Sequence, residues 1–157
     1  MAETTHHLAT ERDTLAFGVA LARGLRPGMT VHLSGELGAG KTTLARGILQ
    51  GLGWASRVKS PTFTLVEPYT ISSLYLYHFD FYRFGHSDEW VDMGFREYFN
   101  PAAICLVEWP EKAGGNLPAP DIRIALAVAG TGRTAEILAN TEAGKDCITR
   151  LQSNRGA

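Results

Sequence analysis

Residues 35–42, Gly-Glu-Leu-Gly-Ala-Gly-Lys-Thr, constrain this chain more tightly than any other stretch, because they demand a strand before them and a helix after them. They fit G-x-x-x-x-G-K-[ST], the pattern of a phosphate-binding loop. The apolar, β-branched run 29–33 reads as the buried strand. Residues 42–52 read as the helix, with Leu44, Ile48 and Leu52 at helical spacing and Gly53 as a stop. The glycines let the backbone turn tightly, so that N–H groups from Gly38, Ala39, Gly40, Lys41, Thr42 and Thr43 point at one anion. The helix adds the positive end of its dipole. In such a loop Lys41 reaches the β- and γ-phosphates of a nucleotide, and the Thr42 hydroxyl holds Mg²⁺.

The rest of the chain sets bounds on what that loop can serve. Its 157 residues suit one domain over 1–157, with a core at about 8–151 and a tail, 152–157, expected to fray. A hydrophobic share of 45% and a charged share of 20% describe a globular chain. The net charge of -1 leaves no broad basic surface for DNA, so any contact with tRNA is local or made through a partner. Cys105 and Cys147 form no C-x-x-C pair and read as buried thiols of a reducing compartment. The N-terminus lacks a basic segment followed by an apolar run, and no apolar stretch approaches the roughly 20 residues that span a bilayer. A cytoplasmic protein is expected.

In chain order, 10–25 reads as a helix with Thr10 as N-cap and a stripe of Leu15, Val19 and Ala22. After the loop and its helix, 54–60 is a connector and 63–67 a strand limited by Pro68. Residues 74–79 form its hairpin partner across 70–73. A short helical stretch follows from Ser87 to about Met93, and 95–99 adds another turn. The run 103–107 is apolar throughout, the mark of a strand buried on both faces. A loop covers 110–120, strands 122–128 and 134–139 pair across 130–133, and 142–151 is a last helix.

A phosphate loop needs an acidic residue for Mg²⁺ or its waters at the end of a neighbouring strand. Glu108 closes the run 104–107 and is the best candidate, since a carboxylate beside so buried a strand calls for a cation. Asp80 closes the run 75–79; it either positions water or magnesium, or it opens a turn. Thr62 offers a hydroxyl in a segment, 59–64, that can act as a switch, although the residues alone read as the plain start of a strand. Arg83 reads as a charge stabiliser or, more often for a lone surface arginine, a solvated group. Trp109 either covers the nucleotide or, as is usual beside a buried strand, is core; His78 reads as core, and His32 carries no assigned chemistry. No Asn-Lys-x-Asp stretch is present to read guanine, which favours ATP.

Four blocks together resemble the TsaE family, also called YjeE: Gly-Glu-Leu-Gly-Ala-Gly-Lys-Thr-Thr (35–43), Val-Lys-Ser-Pro-Thr-Phe-Thr-Leu-Val-Glu (58–67), His-Phe-Asp-Phe-Tyr-Arg (78–83) and Leu-Val-Glu-Trp-Pro (106–110). The resemblance runs from about residue 8 to 150. It implies a P-loop NTPase-like α/β fold, a single three-layer domain with a mixed parallel and antiparallel sheet whose later strands are antiparallel. It further implies a Mg²⁺-dependent ATP hydrolase, slow alone, with Lys41, Asp80 and Glu108 catalytic and Thr42 and Glu108 as metal ligands. Thr62 would lie over the phosphates and Trp109 beside the nucleotide, with Glu11, Gly132 and Arg133 closing around it. The implied partners are TsaB and TsaD, with which the family forms threonylcarbamoyl on N6 of the adenosine next to the tRNA anticodon. Glu36, Phe63 and Phe81 stand where the family commonly has Asp, Tyr and Leu; Phe63 thereby lacks a hydroxyl. A small-molecule or nucleoside kinase and a nucleotide-sensing binding module are the alternatives.

Overall fold

The computed structural model describes residues 2–83 and 94–155. The helical stretch expected at 87–93 lies outside them. The chain runs through β1 (Ala2–Leu8), α1 (Glu11–Ala22), β2 (Thr30–Ser34), α2 (Lys41–Leu52), β3 (Val66–Ile71), β4 (Leu74–Asp80), β5 (Ala103–Glu108), β6 (Ile122–Ala129), β7 (Gly132–Ala139) and α3 (Glu142–Arg155). All seven strands join one sheet in the order β1-β7-β6-β2-β5-β4-β3. At its centre β2 lies parallel to both β5 and β6, and β4 lies parallel to β5. Antiparallel strands close both edges, β3 on β4 at one and β7 with β1 at the other. The sheet is mixed, as expected; of the late strands, β6 is parallel to β2 and antiparallel only to β7.

β5 is buried along its whole length, which is why its sequence is an unbroken apolar run. Helices α1, α2 and α3 lie over one face, where Leu44, Ile48 and Phe17 meet Val31, Leu33, Leu106 and Ile137. On the other face Phe79, Phe81, Phe95, Cys105 and Val107 form a second cluster, covered by two 3-10 helices, Phe95–Tyr98 and Pro110–Asn116. That second covering is thin among the described residues, and Arg123, Ala125 and Glu136 on the β6–β7 half are exposed.

Helices α1 and α2 touch through backbone. A Cβ on Gly47 would stand 2.2 Å from the Leu15 carbonyl oxygen, and one on Gly18 would stand 2.6 Å from that of Leu44. This close approach turns α1 so that Thr14, Phe17, Gly18, Leu21 and Ala22 are buried. Leu15 and Val19 of the expected stripe are only half-buried. Thr10 caps α1 as expected, in a reciprocal capping box with Asp13.

Other expectations need correcting. The strand expected at 63–67 begins at Val66, because Leu65 turns back to donate to the Pro61 carbonyl at 2.7 Å with φ of 70°. Pro68 sits inside β3, where an edge strand tolerates its missing N–H. β1 has no counterpart among the expected elements: it is polar, and only pairing with β7 makes it a strand. α1 stops at Ala22, three residues early, and α3 continues to Arg155 with no breaker until Gly156. Among the described residues no helix is long and apolar enough to cross a membrane.

Candidate functional site

The carboxyl ends of β2, β4 and β5 point to one edge of the sheet, and α2 starts there. Gly40 caps α2 at φ 103°, a conformation that side-chain-bearing residues avoid. As a glycine it brings no side-chain oxygen to the first-turn N–H groups, and the helix has no side-chain cap hydrogen bond. Those donors and the helix dipole are therefore available to an anion.

A cleft of about 570 Å³ opens over this helix end, lined by loop residues 37–43, Asp80 and Glu108. Register pairs Asp80 with Glu108, so the two acidic strand ends stand side by side, and Leu33 of β2 is Glu108's other neighbour. Both carboxylates are buried. Asp80 Oδ1 accepts the Tyr82 backbone N–H at 2.9 Å, and Oδ2 accepts the Thr62 hydroxyl at 3.3 Å. Burial pushes the Asp80 carboxyl above its usual range, and the neighbouring charge of Glu108 adds to this, while the Tyr82 and Thr62 donors oppose it.

Lys41 is the buried cation of the cleft. Its Nζ donates to the carbonyls of Gly35 and Glu36, and it lies 4.2 Å from the centre of the Trp109 ring. Burial lowers the pKa of the ammonium, against the pull of Glu108, Asp80, Glu111 and Glu36. Trp109 reaches this position because it leaves β5 in the left-handed region, φ 58°, which folds its ring back over the loop and onto Tyr82 at 4.9 Å between centroids.

The residues that the resemblance implied for the site all line the cleft: Gly38, Ala39, Gly40, Lys41, Thr42 and Thr43 of the loop, and Thr62, Asp80, Glu108, Trp109, Glu11, Gly132 and Arg133 around it. Arg133 donates to the Gly38 carbonyl at 3.0 Å, tying the β6–β7 turn to the loop. Glu11 is exposed at the rim and meets Arg46 at 3.8 Å. Arg83 instead stacks on the exposed ring of Phe63, 4.4 Å from its centroid. Sequence reasoning passed over Thr10, Thr14 and Tyr82, which also line the cleft, and it placed His78 in the core. His78 is fully buried, yet its Nε2 lies 2.6 Å from Glu108 Oε2. The signal was present in the alternation of β4, which puts His78 on the same face as Asp80.

The donor set suits a hard cation shared with a ligand. Among the described residues no cluster of three or more His, Cys, Asp or Glu side chains could cage a metal. Two adjacent buried carboxylates and the Thr42 hydroxyl offer oxygen only, and burial, with the neighbouring Glu108 charge, holds the Asp80 carboxyl above its usual range. Mg²⁺ binds in this manner, through one or two carboxylates and the phosphates of a substrate.

Fold and cleft define an α/β protein of the strand–glycine loop–helix class, with acidic strand ends beside the helix N-terminus. Over residues 8–135 the sequence matches the family model for the threonylcarbamoyl adenosine biosynthesis protein TsaE, and the chain belongs to that family. A tRNA threonylcarbamoyladenosine biosynthesis protein TsaE from Haemophilus influenzae is 44% identical over 98% of this chain and 100% of its own length. The protein of that name from Bacillus subtilis is 42% identical over 75% of this chain and 73% of its own. The crystal structure of Bacillus subtilis YdiB has a TM-score of 0.84 at 30% identity, covering 98% of this chain and 97% of that one.

Proposed function

We propose that this chain is a Mg²⁺-dependent ATP hydrolase that acts in the cytoplasm with TsaB and TsaD in forming threonylcarbamoyl on N6 of the adenosine beside the tRNA anticodon. What supports the chemistry is one observation: Lys41, the Thr42 hydroxyl, Asp80 and Glu108 converge on one cleft above an uncapped helix N-terminus. What supports the pathway is membership of the TsaE family.

In this reading the amides of residues 38–43 and the Lys41 ammonium bind the phosphates and offset charge as the terminal phosphoryl group departs. Thr42 and Glu108 would hold a magnesium ion, which would supply Lewis-acid chemistry toward the phosphates. Asp80, held by Thr62 and Tyr82, is the carboxylate left to orient water, and its raised pKa suits a proton acceptor. Trp109, Glu11, Gly132 and Arg133 enclose the nucleotide. A net charge of -1 gives no overall excess of positive charge to attract nucleic acid, which suits a chain that leaves tRNA chiefly to its partners.

The test is phosphate release from ATP by the chain with TsaB, TsaD and tRNA. Lys41→Ala and Glu108→Gln should each slow release by about 100-fold or more, the scale of losing a preorganised charge-stabilising group. Phosphate release by Glu108→Gln at the wild-type rate refutes the role given to Glu108. Labelled phosphate on an acceptor other than water makes the chain a kinase.

A further inference from the structure

His78 is used by none of these roles. It stands on β4 two residues before Asp80, and register sets it beside Leu106 while Asp80 sits beside Glu108. Side chains alternate along strands, so the imidazole lies one layer beneath both carboxylates on the helix-covered face of the sheet. The ring is 0% exposed. Its Nε2 contacts Glu108 Oε2 at 2.6 Å, and its Nδ1 is buried with no hydrogen-bond partner among the described residues.

Those two nitrogens are not equivalent in what they require. A proton on Nδ1 would be a buried donor with nothing to receive it; a bare lone pair there is the lesser burden. The proton therefore belongs on Nε2, facing the carboxylate. The neighbouring layer of β4 and β5 is apolar, with Leu76, Ile104 and Leu106 all fully buried. A histidine in such a layer with one nitrogen unmet is worse for folding than leucine, unless the bond to Glu108 matters for something else. Asp80 needs no such help, because Thr62 and Tyr82 already fix both its oxygens.

We infer that His78 is a positioning residue for Glu108. Its Nε2–H donates to Oε2, holds the carboxylate in one orientation, and leaves the other oxygen for the cation in the cleft. This rests on the proposed hydrolase reading. It adds a requirement for a hydrogen-bond donor one layer below the site, of the kind that orients metal-binding side chains elsewhere.

Two substitutions of similar bulk separate this from plain packing. His78→Leu removes the donor; His78→Gln returns an N–H near the position of Nε2. For His78→Leu, kcat and apparent Mg²⁺ affinity should fall about 10- to 100-fold. KM for ATP and affinity for metal-free ADP should stay within about twofold, and Tm should fall, because the buried Glu108 carboxylate loses its donor. His78→Gln should regain most of kcat. Wild-type kcat in His78→Leu, or equal losses in both variants, overturns the inference. A second measurement needs no turnover: imidazole ¹⁵N NMR of the nucleotide-free chain should show the proton on Nε2, with the resonance shifted in Glu108→Ala. A proton on Nδ1, or a resonance indifferent to Glu108→Ala, also overturns it. If wild type hydrolyses no ATP, the hydrolase reading fails by itself, and the NMR result still decides whether the hydrogen bond exists.

Discussion

His32 illustrates how one residue can set the pH range of the whole fold. It lies in the middle of β2, buried, with Nε2 lacking a partner among the described residues, and its register neighbour on β6 is Arg123. Burial, helped by that positive charge, drops its pKa to about 4. The folded state therefore resists a proton that the unfolded chain accepts below its own pKa of 6.5. Stability is whole above that value and declines as pH falls from it toward 4. Between pH 7 and pH 5 this linkage amounts to about 2 kcal/mol. Urea titrations at the two pH values should show wild type losing about that much more than His32→Val, and equal losses would mean the ring meets its proton without penalty. Lys41 shows the same competition with another outcome: four carboxylates pull its pKa up and burial outweighs them.

Between elements, the contact of α1 with α2 decides how the loop is presented. The glycines at the crossing bring the helices together at backbone distance, and α2 carries Lys41 and Thr42 at its first turn. Gly47→Ala would drive a methyl group to 2.2 Å from the Leu15 carbonyl. A backbone atom cannot swing aside as a side chain can, so the helices must separate. A loss of about 2–3 kcal/mol in chemical denaturation is expected, within the range for overpacked cores. Alanine helps a helix interior by up to roughly 1 kcal/mol over glycine, so an unchanged or raised midpoint would show that the helices part freely. The loop should feel the same shift, because α2 is a rigid body running from the crossing to the cleft.

For the molecule as a whole, the sheet is closed at one edge by a strand its own sequence hardly announces. β1 pairs with β7 from Arg133 to Ala139, buries Leu8 and sets His6 against Phe17 at 4.9 Å. Deleting residues 1–8 would bare the β7 edge and empty the Leu8 site. A loss of roughly 3 kcal/mol for that side chain alone corresponds to a Tm lower by roughly 10 °C. The exposed edge should also make the shortened chain associate with rising concentration in size-exclusion chromatography. A monomer with unchanged Tm would show that β1 is dispensable.

Local chemistry was enough for much of this protein. The glycine loop with its strand and helix, the apolar β5, the Thr10 cap and the β6–β7 hairpin all follow from interactions within a few residues, and these act alike in any context. That Asp80 and Glu108 close strands was legible too, because each follows an apolar run. What neighbours in sequence could not specify, contacts across the fold decided. β1 is a strand because β7 offers an edge, α1 turns toward the face that its glycine contact demands, and β3 waits until Leu65 has turned back on Pro61. His78 shows the limit most clearly. A histidine within an apolar run reads as core, and it is core; only the pairing of β4 with β5 brings a carboxylate 30 positions away to within 2.6 Å of its ring.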